Sequence, residues 1–179
     1  MKATGIVRRI DDLGRVVIPK EIRRTMRIRE GDPLEIYTAA DGEVIFKKYS
    51  PVGELSPLTA QYAEVLHRST NQPVLIFDRD KVIACAGISK KEVLDRRLTQ
   101  ELEDIMERRE SYQLSHGASP LVPASGVERN AAVAVPILAA GDVAGAVVLL
   151  SDESGEQTAQ ADVKLVQVAA NFLGRQMEE

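Results

Sequence analysis

The chain of 179 residues has few of the side chains that form disulfides and metal sites. Its single cysteine, Cys85, excludes an internal disulfide bond and fits a reducing cytoplasm. Cys85 lies in the apolar stretch VIACAG, which predicts a buried small side chain rather than a reactive thiol. The two histidines, His67 and His116, are far from Cys85 in sequence, so we expect no metal site.

Long hydrophobic runs and targeting signals are also missing. No apolar stretch approaches the roughly 20 residues that a membrane-spanning helix needs. Met1 and Lys2 lead directly into an alternating pattern, not into the apolar region of a signal peptide. These absences predict a cytoplasmic protein without a membrane partner.

Catalytic motifs are absent as well. The sequence contains no GxSxG elbow for a nucleophilic serine, and its glycines form neither a dinucleotide-binding fingerprint nor a P-loop. His116 lies in a loop rich in glycine, serine and proline, with no motif around it. We therefore expect no enzymatic activity and predict no cofactor.

The charge is unevenly distributed along the chain. The formal net charge is −4, yet residues 1–30 carry 9 Lys/Arg against 4 Asp/Glu. Residues 51–179 carry 12 Lys/Arg against 19 Asp/Glu. A basic segment on an acidic body is typical of a protein whose one end binds nucleic acid.

The first fifty residues are predicted to form strands and one short helix. Strand patterns occur in GIVRRI and in RVVIP, which are separated by the turn-like DDLG. Ile22 and Met26 have helical spacing in KEIRRTMRI. Two further strands, in PLEIYTA and EVIFKKY, are joined through Asp41-Gly42, a strong hairpin signal. We expect two hairpins joined by a helical turn.

This organisation divides the chain into two domains. The stretch YSPVGELSPL, rich in proline and serine, marks a boundary, so we expect a domain at 1–50, a linker at 51–57 and a second domain at 58–179. Fifty residues bury little core for their surface, which favours obligate dimerisation of the first domain through intertwined hairpins.

The second domain shows the pattern order α-β-β-α-β-β-β-α, which predicts a layered α/β domain with a mainly antiparallel sheet. The expected elements are a helix at 55–70, two strands within PVLIFDRDKVIACAG, a helix opened by Ser89 and Glu92 and extending to Met106, a weak strand in SYQLS, an apolar hairpin turning near Gly141-Asp142, and a last helix from about Thr158 to Met177. Residues 116–130 form a long loop, either a flexible connection or one wall of a small-molecule pocket.

The last helix contains more apolar residues than one interface requires. A coiled-coil-like spacing relates Ala159, Val163, Val166, Ala170, Leu173 and Met177, and the face is widened by Leu165, Val168, Ala169 and Phe172. Either one side covers the sheet and the other a partner, or all of them form one wide core stripe.

The arginines of the basic segment are candidate DNA ligands. On a strand, Arg8 and Arg9 point to opposite faces, Arg15 begins the return strand, and Arg23 and Arg24 project from the short helix. In a two-fold dimer each residue occurs twice, and such a surface neutralises DNA phosphates. No helix-turn-helix pattern is visible.

Neighbouring carboxylates offer an alternative interpretation of the same residues. Asp11, Asp12 and Glu21 would neutralise the arginines if they paired with them at the surface. Charge and spacing alone leave both interpretations open.

Residues 1–50 closely resemble the swapped-hairpin DNA-binding domain of the AbrB family of bacterial transition-state regulators. The resemblance rests on the elements TGIVR, DDLGRVVIPKEIRR and LEIY. It implies an intertwined dimeric β-barrel that binds double-stranded DNA. The residues expected to contact DNA are Arg8, Arg15, Arg23 and Arg24, with Lys2 and Arg9 at nearby basic positions.

The whole chain resembles regulators of late, forespore-stage sporulation genes, in which a GAF domain follows the swapped hairpin. That resemblance implies a cytoplasmic, nucleoid-associated activator and repressor of transcription whose GAF-like domain serves oligomerisation, as a tetramer, and possible ligand sensing. No NKFDE-like cyclic-nucleotide signature is present, so the GAF ligand is unknown. Two alternatives are an antitoxin of the swapped-hairpin type and a metabolite-sensing signalling protein.

Overall fold

The computed structural model describes residues 4–115, 119–151 and 158–178, and its contacts group into two compact units. Unit 1 is Met1–Tyr49 and unit 2 is Ser50–Glu179. Each unit has its own sheet, with two strands in unit 1 and five in unit 2 among the described residues.

The described residues of unit 1 form one helix and one hairpin. Helix α1 (Lys20–Met26) ends at Arg27, which adopts a left-handed conformation. Strands β1 (Leu34–Thr38) and β2 (Val44–Lys48) pair antiparallel, and their register runs from Leu34 opposite Lys48 to Thr38 opposite Val44. The hairpin predicted around Asp41-Gly42 is confirmed.

The two strands predicted before α1 are not formed within the single chain. Residues 4–18 contain a turn but no strand, and most of their side chains are exposed. The turn is the one predicted at DDLG: the Gly14 amide donates to the Asp11 carbonyl oxygen at 3.0 Å. A strand needs a neighbouring strand for its backbone hydrogen bonds, and this segment finds none among the described residues of unit 1.

Unit 2 is built on a five-stranded sheet. Its elements, in chain order, are α2 (Pro51–Glu54), α3 (Ser56–Thr70), β3 (Val74–Phe77), β4 (Val82–Ala86), α4 (Lys90–Val93), α5 (Gln100–Arg108), β5 (Tyr112–Gln113), β6 (Ala131–Ala139), β7 (Asp142–Leu150) and α6 (Gln160–Gln176). The strand order is β4-β3-β7-β6-β5, and every neighbouring pair is antiparallel. The predicted antiparallel sheet is confirmed.

Both faces of this sheet are covered by other elements. For this reason its strands are continuous apolar runs in the sequence and do not alternate with polar residues. Successive side chains of a strand point to opposite faces. In β3, Val74 and Ile76 face a core shared with α3 and α6. Leu75 and Phe77 face a second core, which includes side chains of α5 and of the loop before β6. The unit is therefore a three-layered structure with a sheet in the middle.

Residues 51–57, expected to be a linker, are helical in the structure except for Leu55, which separates two helices. They form α2 and the first residues of α3, and Val52 is fully buried. Ser50 caps α2 by accepting the Gly53 amide at 3.1 Å, and its hydroxyl donates to the Asp78 carboxylate at 3.2 Å.

The single helix predicted from Ser89 to Met106 is wrong. The chain forms two helices, α4 and α5, because Asp95 adopts a left-handed conformation between them. The Asp95 amide donates to the Val82 carbonyl oxygen, and the Val82 amide donates to the Arg96 carbonyl oxygen. Backbone pairing with the start of β4 thus replaces two helical turns. The Ser89 side chain makes no capping hydrogen bond.

Helix α6 lies within two residues of its predicted bounds and packs closely on β6. Gly174 makes this approach possible, because a Cβ built there would overlap the Leu138 carbonyl oxygen and lie 3.1 Å from its carbon. Val163 and Leu173 are buried on the sheet side, whereas Val168 is 58% exposed. The helix therefore has a core face and an uncovered apolar face.

Candidate nucleic-acid interface

Helix α1 presents its basic side chains to solvent. Arg23 and Arg24 are exposed in its last turn, and no residue of the helix is buried. The buried Pro19 precedes the helix and suits that position, since proline lacks the amide hydrogen that a helix start leaves unpaired. The cations near the carboxyl end of α1 also interact favourably with the helix dipole.

The turn before α1 holds a second part of the basic surface. Asp11 Oδ1 accepts the amides of Leu13 at 3.0 Å and Arg15 at 2.7 Å. Arg15 Nε donates to Asp11 Oδ2 at 2.7 Å, while 69% of the Arg15 side chain stays exposed. Asp11 thus shapes the turn and fixes one edge of the Arg15 guanidinium, leaving its other edge toward solvent.

The other described arginines predicted to bind DNA form no ion pair with any described residue. Arg8 and Arg9 are exposed, like Arg23 and Arg24, and none of the four pairs with a carboxylate among the described residues. Of the carboxylates proposed as neutralising partners, Asp11 does pair with Arg15. Lys2 lies outside the described residues.

Two further cations belong to the same surface and were not singled out from the sequence. Lys20 is the first residue of α1, and Arg27 follows its last residue in a left-handed conformation; both are exposed. Lys20 lies three residues before Arg23 and four before Arg24, a spacing that places side chains on neighbouring parts of a helix. Helical spacing of basic residues was the signal that could have identified them.

Cys85 is a buried residue of β4, as its apolar surroundings predicted. Burial raises the pKa of its thiol, so the uncharged form is favoured and the residue acts as a small apolar side chain. Among the residues that the structure describes, no group of three or more His, Cys, Asp or Glu side chains is placed to hold a metal ion. His116 lies outside them.

None of the helices in the described ranges combines the length and the apolar character that crossing a lipid bilayer requires.

Comparison with known proteins identifies both units. The family profile described as stage V sporulation protein T C-terminal, transcription factor, matches residues 54–178. The profile described as antidote-toxin recognition MazE, bacterial antitoxin, matches residues 7–53. Stage V sporulation protein T of Bacillus subtilis is 52% identical over 180 residues, with 100% of both chains covered.

Two partial relatives identify the units separately. The transition state regulatory protein AbrB of Bacillus subtilis is 63% identical over 51 residues, which are 28% of this chain and 52% of that protein. Unit 2 is similar to the GAF domain of an Acinetobacter phosphoenolpyruvate-protein phosphotransferase, with a TM-score of 0.56 at 14% identity, covering 71% of this chain and 87% of that one. The second likeness shows the fold alone.

The chain is therefore a transcription regulator with an AbrB-like amino-terminal domain and a GAF-like carboxyl-terminal domain. Its family is shown by a profile that matches most of its length and by a full-length relative at 52% identity. The chain belongs to the stage V sporulation protein T family and regulates transcription in sporulation.

Proposed function

We propose that this chain activates and represses late, forespore-stage sporulation genes by binding double-stranded DNA as an intertwined dimer of unit 1. The observation that carries the proposal is the exposed basic surface of α1 and of the Asp11–Arg15 turn. Arginine suits this role, because its planar fork can bind a phosphate or a guanine edge with two hydrogen bonds. The proposed activity is non-enzymatic and takes place on the nucleoid in the cytoplasm.

The apolar surface of unit 1 supports the dimer. Large apolar side chains are exposed in the segment before α1 and in the hairpin, namely Ile6, Val7, Ile10, Leu13, Val16, Val17, Ile36, Val44 and Phe46. A patch of this extent is typical of an interaction surface. A second copy would bury these side chains and supply strand partners to residues 4–18, closing the proposed β-barrel.

In this dimer Arg8, Arg15, Arg23 and Arg24 occur twice, and Lys2 and Arg9 extend the same basic segment. Their positive charge would displace counterions from DNA, so binding should weaken steeply as salt concentration rises.

The test is a fluorescence anisotropy titration of promoter-length DNA with the full chain at several salt concentrations. Substituting alanine for Arg15, Arg23 or Arg24 removes one phosphate contact per protomer. The logarithm of the binding constant falls linearly with the logarithm of the salt concentration, and each substitution should make this slope less steep by roughly 1 to 2 units per dimer.

Arg108→Ala is the matched control, because Arg108 is an exposed arginine at the end of α5 in unit 2. It should bind DNA like the unaltered chain. The proposal fails if the three unit 1 variants bind like the control, or if the unaltered chain shows no salt-sensitive binding.

Unit 2 is proposed to join these dimers into a tetramer and to sense a small molecule. The outer face of α3 and α6 carries the exposed Val65, Leu165 and Val168, and Tyr62 stacks on Phe172 with ring centroids 5.2 Å apart. Tethering two DNA-binding dimers would raise their avidity without any new DNA contact.

An antitoxin function is the second candidate, because the MazE profile matches residues 7–53. Antitoxins of this type would need a segment that wraps a toxin, and such segments gain order on binding. Here most described residues after Ser50 belong instead to a unit with two buried cores. This packing favours the regulator.

A further inference from the structure

A cleft of about 470 Å³ opens in unit 2 between α4 and the loop before β6. This volume is within the range of small-molecule sites in proteins. Its lining residues are Ile88, Glu92, Val93, Arg96, Gly126, Val127, Glu128 and Arg129. The cleft lies at the border of the second core, to which its lining residues Val93 and Val127 belong. The interior of that core, between the sheet and α5, is filled by Leu75, Leu102 and Met106.

Backbone hydrogen bonds tie the two walls of the cleft together. The Ser125 amide donates to the Arg97 carbonyl oxygen at 2.8 Å, and the Thr99 amide donates to Pro123 at 3.1 Å. The Thr99 hydroxyl also donates to the Val122 carbonyl oxygen at 2.6 Å. These bonds join the segment after α4 to the loop before β6, so the cleft is formed before any ligand binds.

Gly126 gives the loop wall its shape. The Val127 amide donates to the Ala124 carbonyl oxygen at 3.2 Å, and Gly126 has a φ of +78°. This φ is the one that the third position of a type II turn requires, and glycine adopts it without strain. The turn brings the Gly126 backbone beside the Arg96 guanidinium, whose Nη1 would lie 3.5 Å from a Cβ at that position.

One hydrogen bond holds the Arg96 side chain in place and leaves its terminal nitrogens available as donors. Its Nε donates to the Glu92 carbonyl oxygen at 3.0 Å, which fixes the side chain along α4. Among the described residues the guanidinium forms no ion pair, although Glu92 and Glu128 line the same cleft. A guanidinium whose terminal nitrogens remain available binds carboxylates and phosphates with paired hydrogen bonds.

Within the described part of the chain, Arg96 forms no ion pair with either of the two glutamates that line the same cleft. Neither Glu92 nor Glu128 pairs with a cation among the described residues, and Ile88, Val93 and Val127 supply an apolar surface beside them. A ligand with one anionic group, one cationic group and an apolar part would satisfy all three kinds of side chain.

We propose that this cleft binds a small zwitterion, namely a free amino acid. Arg96 binds its carboxylate, and Glu128 with Glu92 binds its ammonium group. The proposal rests on the proposed ligand-sensing role of unit 2 and names the chemical class of the ligand.

The test is calorimetric titration of the full chain with each of the twenty proteinogenic L-amino acids. The tightest binder is then compared with its carboxamide, which lacks the carboxylate, and with its deaminated acid, which lacks the ammonium group. Each derivative should bind at least about tenfold more weakly, because a hydrogen-bonded charge pair is lost. Arg96→Gln should weaken binding of the amino acid to a similar degree. In this variant the amino acid and its carboxamide should bind with equal affinity.

Lys91→Gln is the matched control, since Lys91 is an exposed cation of α4 outside the cleft. It should bind the amino acid like the unaltered chain. The proposal is overturned if no amino acid binds, if Arg96→Gln binds like the control, or if inorganic phosphate alone binds in a way that depends on Arg96. DNA affinity without amino acid should be equal in all three proteins, so failure here is distinct from failure of DNA binding.

Discussion

Asp11 shows how one exposed carboxylate organises the basic segment. The Arg15 amide, the Arg15 guanidinium and the Leu13 amide all donate to this carboxylate, and together they hold the pKa of Asp11 below its ordinary value. Hydrogen bonds to the charged form are the cause. The turn is therefore stabilised at neutral pH and loses that stabilisation as pH falls through the lowered pKa.

Arg15→Gln should raise the pKa of Asp11 part of the way to its ordinary value. The guanidinium is lost, whereas the amide of residue 15, which contributes most to the shift, is kept. Carboxyl carbon chemical shifts followed by NMR through an acid titration measure this pKa. Arg8→Gln, which removes a nearby cation that does not contact Asp11, should leave it unchanged. Titration of Asp11 at its ordinary value in the unaltered chain would contradict the turn geometry.

At the residue scale, the features that could be predicted from the sequence are those with a local signal. The buried Cys85 followed from its apolar neighbours, and the Asp11 turn from the residues DDLG. The loop at 116–130 was one candidate wall of a pocket, and its residues Gly126 to Arg129 do line the cleft. The opposite wall with Arg96 could not be predicted, because it is far from Glu128 in sequence. Backbone pairing between segments brings them together, and no short motif encodes it.

At the scale of elements, α6 depends on a contact between backbones. Gly174→Ala should destabilise unit 2 by about 1 to 3 kcal/mol, because the added methyl group would overlap the carbonyl oxygen of Leu138 in β6. Alanine favours a helix more than glycine does, but that gain of about 1 kcal/mol does not offset the overlap. Chemical denaturation followed by circular dichroism measures the change.

Gln167→Ala is the control on the same helix, at an exposed position where the change should be within about 0.5 kcal/mol. Equal denaturation midpoints for Gly174→Ala and Gln167→Ala would contradict the close packing of α6 on β6.

The elements that the sequence predicted best are those with local partners. The β1–β2 hairpin joins neighbouring segments, and α6 carries a long periodic pattern. The break between α4 and α5 was missed because it depends on two backbone hydrogen bonds: the Asp95 amide donates to the Val82 carbonyl oxygen, and the Val82 amide donates to the Arg96 carbonyl oxygen. The strands expected before α1 are not formed for a similar reason: the described residues of unit 1 include no neighbouring strand with which they could pair.

At the scale of the whole molecule, the outer face of α3 and α6 should determine the oligomeric state. Val168→Lys places a charge in the middle of this apolar face, where Val168 is 58% exposed. Native mass spectrometry should then show dimers in place of tetramers, because burying an unpaired charge at an interface is costly. Binding to a DNA fragment with a single site should be retained.

Gln100→Lys is the control, an equal charge change at an exposed position of α5. It should leave the mass distribution unchanged. Tetramers in both variants, or dimers in the unaltered chain, would contradict the proposed role of this face.

The arrangement of the central sheet also has a consequence for the order of folding. Strands β6 and β7 are joined by a tight turn at Ala140 and Gly141, so their hairpin closes quickly. In contrast, β3 pairs with β7 across about 75 residues, from Val74 to Leu149. On the ribosome, the edge of β3 that pairs with β7 therefore stays open until β7 (Asp142–Leu150) has been made, and during that time it is exposed to pairing with a wrong strand.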